Sequence, residues 1–559
     1  MNSTLHWPRD IFLISRHDTR LGSQASPISM GSKAFNLTRM LSCGLNVPPA
    51  LVIGSRYTVH PDECVGAVLE TGLPALESVT GLKFGDARKP LIVSVRSGSA
   101  VSMPGMMETL LNIGLCDVTL PGLLRHTGNP RTVWDAYRRL IASYGEVVAG
   151  LPASLFEDEI NRVTAGRDER QLDFAEMRSL ARTFLDVYAA QAHDPFPQEV
   201  RKQLIGAIRA VFSSWHSDKA TAYREMNRID AKLGTAVTIQ SMVFGNSGNR
   251  SGAGVGFTRD PSTGERRLWV DFLTNAQGED VVSGRRNAHG HEALAAVAPE
   301  AWKRLEESTA ILEKEFGDMQ DFEFTVQEGA LYLLQTRSGK RTPIATARIA
   351  LDLLDEGTID RATALDRTLA LRSSDLQSVR LEPSDDVSLD EAHLASAMSA
   401  CAGIVSGEIV LNPDHAARAH AEGRKVILVR PDAETNDIAA IESAEGLLTQ
   451  RGARTSHAAV VARQLGKVCL VGCTALKINA SDNTIQFGDV QLREGDLLTL
   501  DGNTGEVYRG EIARVRVDET ALQKRLGALR HESGRARRAN ARASGTQPPG
   551  KKHSGKQHK

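Results

Sequence analysis

His457 sits in the run RGARTSHAAVVARQLGKVCLVG, residues 451–472. Gly452 permits a turn, Thr455 or Ser456 can cap the helix that follows, and AAVVARQL supplies its apolar face. The spacing therefore predicts His457 in the first helical turn. The unsatisfied amides and positive end of a helix favour an incoming phosphate and disfavour a protonated ring, which keeps imidazole neutral and nucleophilic near pH 7. Such a ring could carry a phosphoryl group, or it could simply be a hydrogen-bonding helix end. A second constellation lies in MQDFEFTVQEGALYLLQTRSGKRT, residues 319–342, where strand alternation puts Asp321 and Glu323 on one face. Two such carboxylates suit Mg²⁺, which takes few carboxylates together with phosphate oxygens and water; a solvated strand face has the same pattern. The third is FGNSGNRSGAGVGFTRDPSTGE, residues 244–265, a glycine-dense hairpin whose amides could close over a triphosphate or merely turn the chain. Met103, Met106 and Met107 read as flexible apolar packing.

The elements that must position these groups fall into blocks. Up to about residue 340, β-rich runs such as PLIVSVRS (90–97), TAVTIQSMVF (235–244) and ALYLLQTR (330–337) alternate with helical stretches such as RTVWDAYRRLIASYGEVV (131–148), an α/β or α+β signature. Residues 345–400 have helical periodicity and read as a connector. From about 401 the pattern is again compact α/β, closing with LLTLDGNTGEVY, where Asp501-Gly502 and Thr504-Gly505 supply turns. A chain of 559 residues with 41% hydrophobic content should divide into two to four domains. No run approaches the roughly 18 apolar residues of a membrane helix and the start carries no signal-peptide pattern, so no membrane partner is expected and the cytoplasm is the default. Six irregularly spaced cysteines read as reduced structural thiols. Residues 521–559 hold eleven Lys and Arg against one Glu. Composition predicts a disordered basic tail there, the only place where nucleic acid or another acidic partner would be expected.

The segment GARTSHAAVVARQLGKVCLVG resembles the phosphohistidine motif of pyruvate, phosphate dikinase and the related phosphoenolpyruvate synthases. The resemblance implies that His457 is the phosphate carrier and Thr455 a supporting hydrogen-bonding group. The family's Gly-Gly pair is here Gly452-Ala453, followed by Arg454. The resemblance runs nearly collinearly from Gly31 to Lys340. In GSKAFNLTRMLSCGLNVPPALVI (31–53) it implies that Lys33 contacts ATP phosphates, and in SVRSGSAVSMPGMMETLLNIGL (94–115) that Arg96 binds ATP. In NAQGEDVVSG (275–284) it places Glu279 near the metal and phosphates, and it lays the 244–265 loop over the nucleotide. It further implies that Asp321 and Glu323 hold Mg²⁺ and act with Gln335 and Arg337 on ATP, Arg337 stabilising charge on the transferring phosphates. The implied architecture is an ATP-grasp-like nucleotide-binding domain (1–340), a helical connector (341–400), a swivelling α/β phosphohistidine domain (401–515) and the basic tail (516–559).

The chemistry so implied is phosphorylation of His457 from ATP, with inorganic phosphate as co-substrate, and transfer to pyruvate or another acceptor. In the family a (β/α)₈ barrel that binds pyruvate or phosphoenolpyruvate follows the phosphohistidine domain. After LDGNTGEVYRGEI (500–512) about 45 residues remain, against the roughly 250 of a barrel. The expectation is that a separate barrel-bearing protein presents the acceptor, and a homodimer is compatible with the reading. Two alternatives stand beside it. One is an ATP-binding regulatory or non-turnover remnant. The other is a kinase for a different small molecule, although the short connector has no room for the drug-binding domain of rifampicin phosphotransferase.

Overall fold

The computed structural model describes residues 7–103, 105–167, 169–282, 290–382, 388–432, 437–452, 454, 457–479 and 481–543, and every structural statement below concerns those residues. The first block contains two antiparallel sheets. One joins β1 (Ile11–Ile14), β2 (Ala50–Ile53), β3 (Val93–Gly98), β4 (Thr109–Ile113) and β5 (Ala236–Ser241) in the order β1-β2-β5-β3-β4. The other joins β6 (Gly252–Phe257), β7 (Trp269–Thr274), β8 (Gln320–Gln327) and β9 (Ala330–Ser338) in the order β7-β6-β8-β9. Helix Pro130–Val147 shows how the sequence builds the support beneath them. Asn129 accepts from the Thr132 amide at its start, Pro130 takes the first turn, and Val133, Ala136, Tyr137, Leu140, Ile141 and Tyr144 form one buried stripe. That stripe joins helices Phe174–Ala192 and Val200–Ser213 in a core against the first sheet.

Three glycines of the 244–265 segment lie in a strand, while Gly245, Gly248 and Gly264 lie in the loops on either side of it. Gly252, Gly254 and Gly256 lie inside β6 and are buried. A Cβ at Gly252 would meet the Phe272 ring at 2.1 Å, one at Gly254 the Phe324 ring at 2.4 Å, and one at Gly256 the Phe322 ring at 2.7 Å. The residues are small because aromatic rings from the flanking strands lie across the strand, and Gly254 also lines the cavity described below.

Helices Pro343–Asp355 and Arg361–Thr368 form the connector, capped by Thr342 and Asp360. The strands then resume earlier than residue 401. Gln377–Leu381 is β10, and His393–Ser396 (β11) and Met398–Cys401 (β12) already belong to the second block's sheet. That sheet continues with β13 (Ile404–Val410), β14 (Val426–Arg430), β15 (Gly446–Thr449) and β16 (Val468–Val471). Strands Leu476–Asn479 (β17), Thr484–Phe487 (β18) and Val490–Arg493 (β19) make a separate three-stranded meander. With β20 (Leu497–Asp501) and β21 (Glu506–Arg509) the large sheet takes the order β11-β21-β20-β13-β14-β15-β16-β12 and has a parallel centre from β13 to β16. The chain is therefore α+β in its first block and α/β in its second.

The tail also departs from expectation. Arg514–Asp518 (β22) pairs antiparallel with β10, and Thr520–Ala543 is a helix. Leu522, Leu526 and Leu529 are buried against the connector helices, Arg525 pairs with Asp352 and Asp355, and Arg530 donates to the carbonyls of Thr368 and Leu371. Averaging composition over 39 residues hides three leucines at helical spacing, which are enough to seat the helix. Residues 544–559 lie outside the described residues. No described helix is long and apolar enough to cross a membrane.

Candidate functional site

A cavity of about 470 Å³ opens between the two sheets of the first block, within the range of small-molecule sites. Its walls are set by backbone geometry. Helix Pro27–Ser42 begins with a capping box between Ser26 and Ser29 and is interrupted at Gly31, whose φ is 75°. The interruption lets the Ser32 amide donate to the Ser99 carbonyl at 3.0 Å and the Ser32 hydroxyl to the Ala100 carbonyl at 2.6 Å. Lys33 is thereby fixed on the cavity wall. Asn36, one turn on, donates to the Thr336 carbonyl at 2.8 Å and ties the helix to the second sheet.

Arg96 comes from β3 in the opposite sheet, and its Nη2 crosses the cavity to donate to Glu323 Oε2 at 3.1 Å. Glu323 also accepts from Gln335 Nε2 at 3.1 Å, and Asp321 accepts from Arg337 Nε at 2.7 Å. Asp321 is the register partner of Arg337 and Glu323 that of Gln335, so four expected residues share one face of the β8-β9 hairpin. Lys33, Arg96, Glu279, Glu323, Gln335 and Arg337 all line the cavity; Asp321 lies behind Arg337. Glu279 lies near Arg139, whose charge burial opposes and Asp135, Asp280 and then Glu279 favour. Thr455 lies outside the described residues. The backbone of His457 opens helix His457–Gln464, as the capping pattern predicts, and its side chain is not among those described. Gly452 has φ 134°, the turn its type allows. Met103 and Met106 are buried against Trp215 and Ala220, the packing role expected of them.

The electrostatics are those of a buried cluster in which cations and carboxylates act on one another. Burial alone would raise the carboxyl of Glu323, but Arg96, Lys33 and Arg337 outweigh it and hold the group below its usual range. Burial pushes Asp321 up, with Arg337 pulling against it. Burial, helped by Arg96 and Arg337 and opposed by Glu323, pushes the Lys33 amine down to about 8. Asp321 and Glu323 are two carboxylates on one face with cationic neighbours, and no described group of three His, Cys, Asp or Glu side chains stands ready as a closed metal cage. Such a pair fits Mg²⁺ when phosphate oxygens and water complete the shell.

Several lining residues escape sequence reasoning. Asn112 is buried at φ 62° with neither side-chain atom hydrogen-bonded, and the Gln277 amide is likewise without a partner. For Asn112 the signal is a non-glycine residue at positive φ where the β3-β4 register shifts, and it is visible only in the fold. Arg454 and Arg463, to which the sequence reading gives no role, reach from the second block onto the second sheet of the first. Arg463 stands near enough to Asp321 to act on its titration.

Comparison with known proteins matches residues 67–295 to the family model "Pyruvate phosphate dikinase, AMP/ATP-binding domain" and residues 423–505 to "PEP-utilising enzyme, mobile domain". The chain is 43% identical over 498 residues to pyruvate, phosphate dikinase of Clostridium symbiosum, covering 86% of this chain and 56% of that one. It is 41% identical over 501 residues to the chloroplastic pyruvate, phosphate dikinase of Mesembryanthemum crystallinum, covering 88% and 52%. Against pyruvate, phosphate dikinase 2 of Zea mays it is 40% identical over 493 residues, covering 86% and 55%. The chain thus spans about half the length of the curated relatives it matches.

Proposed function

The chain belongs to the pyruvate, phosphate dikinase family of PEP-utilising enzymes, carrying its AMP/ATP-binding domain and its mobile domain, and on that premise we propose that it phosphorylates His457 from ATP. The observation that carries the reading is the clustering of Lys33, Arg96, Glu323, Gln335 and Arg337 around one cavity, with the histidine-bearing block seated on the same sheet. Lys33 and Arg96 would bind phosphate oxygens, Lys33 as a point charge and Arg96 through its planar fork. Asp321 and Glu323 would hold Mg²⁺, which would supply positive charge to offset that of the phosphates. Arg337, oriented by Asp321, would meet the charge that builds as the bond from phosphorus to the imidazole nitrogen forms and the bond to the leaving nucleotide oxygen breaks. Inorganic phosphate as co-substrate, and pyruvate as the acceptor that unloads the histidine, are the second half of the reading; the name of the relatives supports them.

The test is to incubate the full chain with Mg²⁺ and ATP labelled separately at the β and γ positions. An acid-labile, base-stable label on the wild type and none on His457→Ala is expected. A wild type that stays unlabelled, or a variant that labels normally, overturns the assignment.

Lys33 gives an independent check. Burial holds its amine at a pKa of about 8, and phosphates bound beside it would favour the charged form. Binding of ATP in metal-free buffer should therefore take up a proton between about pH 8 and 10, approaching one per nucleotide near pH 9, and weaken as pH rises through that window. Calorimetry in buffers of different ionisation enthalpy measures the uptake. Undiminished uptake in Lys33→Met would mean that another group titrates.

A further inference from the structure

The second block meets the first on the face of the sheet that carries the carboxylates. Cross-strand partners in an antiparallel sheet share a face. One row runs Trp269, Phe257, Asp321, Arg337 and the next runs Asp271, Val255, Glu323, Gln335. Trp269 and Asp271 on the edge strand β7 therefore lie on the same face as the site, and at one strand spacing per step Asp271 stands roughly 10 Å from Glu323. Onto that edge comes Arg454, three positions before His457. Its Nε donates to Asp271 Oδ1 at 2.9 Å, its Nη2 to the Val270 carbonyl at 3.4 Å, and its guanidinium carbon lies 4.2 Å from the centre of the Trp269 ring. The Asp271 side chain is 0% exposed and its Oδ2 has no partner. Arg463 braces the same loop from within, donating to the carbonyls of Arg454 and Ala400 and lying over Phe257 and Trp269. A second contact between the blocks lies at the Met103 and Met106 cluster, against which Ile438 of the second block packs; Met103 and Met107 also line the cavity.

We propose that Arg454 is a positioning residue for the loading step: its ion pair with Asp271 and its stack on Trp269 form a latch that seats the histidine-bearing helix over the phosphate end of the cavity. The inference rests on the phosphohistidine reading above. The hydrogen bonds of Arg463 go to carbonyls of its own block, whereas those of Arg454 cross to the first. Asp271 is the buried anion that makes the crossing selective for a cation. With Arg454 truncated, docking would bury Asp271 without compensation, whereas undocking would return it to water. Removing one member of such a pair should therefore shift the balance towards the undocked state by roughly thirty-fold or more.

The full chain, with Cys43→Ser and spin labels at Lys303→Cys and Lys477→Cys on exposed surfaces of the two blocks, reads docking directly as a distance distribution. A narrow distribution is expected for the parent. In Arg454→Ala it should broaden, and loading at saturating ATP should slow about thirty-fold while the Kd for ATP stays within about twofold. Arg454→Lys should recover part of both effects. Asp271→Asn, which keeps the shape and removes the charge, should shift docking in the same direction, and the double variant should be no worse than Arg454→Ala because the two residues act through one contact. A docked distance and loading rate unchanged in both Arg454→Ala and Asp271→Asn would overturn the latch. Should the parent take up no label from ATP, the distance distributions still decide the latch, while the phosphohistidine reading fails separately.

Discussion

Arg337→Met is expected to slow formation of the phosphorylated enzyme by about two to three orders of magnitude at saturating ATP, with the Kd for ATP changed by no more than a few-fold. Asp321 engages Nε of Arg337 at 2.7 Å, which leaves the terminal nitrogens for phosphate oxygens and orients the guanidinium before the nucleotide arrives. Lys33 and Arg96 remain to bind the ground state, so the loss should fall on the step in which charge moves between oxygens. A second consequence follows from the buried carboxylates. Arg337 opposes the burial that raises Asp321 and is one of three cations holding Glu323 low. Without it both groups bind protons more readily, so the residual rate of the variant should decline at a higher pH than that of the wild type as the medium is acidified. Arg337→Lys restores charge without the planar fork and should recover only part of the rate. Single-turnover labelling separates these effects, and a rate for Arg337→Met within about threefold of wild type would remove Arg337 from the mechanism.

The β8-β9 hairpin shows how much of this site was legible in the sequence and where legibility stops. Alternation alone put Asp321 and Glu323 on one face, and Glu328-Gly329, both at positive φ, is a turn that closes two strands tightly. Counted from that turn, however, Asp321 would face Thr336 and Glu323 would face Leu334. A one-residue bulge between Glu323 and Phe324 shifts the register and brings Gln335 and Arg337 opposite the acids. A slip of one residue exchanges the faces of a strand, so the bulge makes the site, and period-two reasoning cannot see it. The strand through β6 was hidden for a related reason: Gly252, Gly254 and Gly256 recur every second residue, a strand period that glycine density masks. Asp271 and Trp269 carry no local signal, since their significance depends on Arg454, 183 positions away in sequence. The helix start at His457 was legible because such a start is a local event, written in a turn residue, a cap and an apolar face within ten residues.

Gly31→Ala is expected to abolish tight ATP binding, weakening it at least about a hundred-fold, through a clash that no side-chain movement relieves. At φ 75° and ψ 148° Gly31 occupies a conformation that is costly for any residue with a Cβ. Added there, a Cβ would stand 2.0 Å from the Gly98 carbonyl oxygen and 2.5 Å from its carbon. Both atoms are backbone, and Gly98 closes β3, the strand that carries Arg96, so relief requires separating helix Pro27–Ser42 from β3. That separation breaks the two hydrogen bonds of Ser32 to Ser99 and Ala100 and moves Lys33, the next residue, off the cavity wall. The effect should therefore combine lower stability with lost phosphate binding. Gly44→Ala is the matched control, since Gly44 also has positive φ, at 80°, but open space around it. It should cost about 1 kcal/mol of stability and leave ATP binding unchanged. Thermal unfolding and nucleotide titration of the two variants side by side distinguish strain from clash. If Gly31→Ala binds ATP as Gly44→Ala does, the close approach of Gly31 to Gly98 does not position Lys33, and its place on the wall must come from Asn36 and the second sheet.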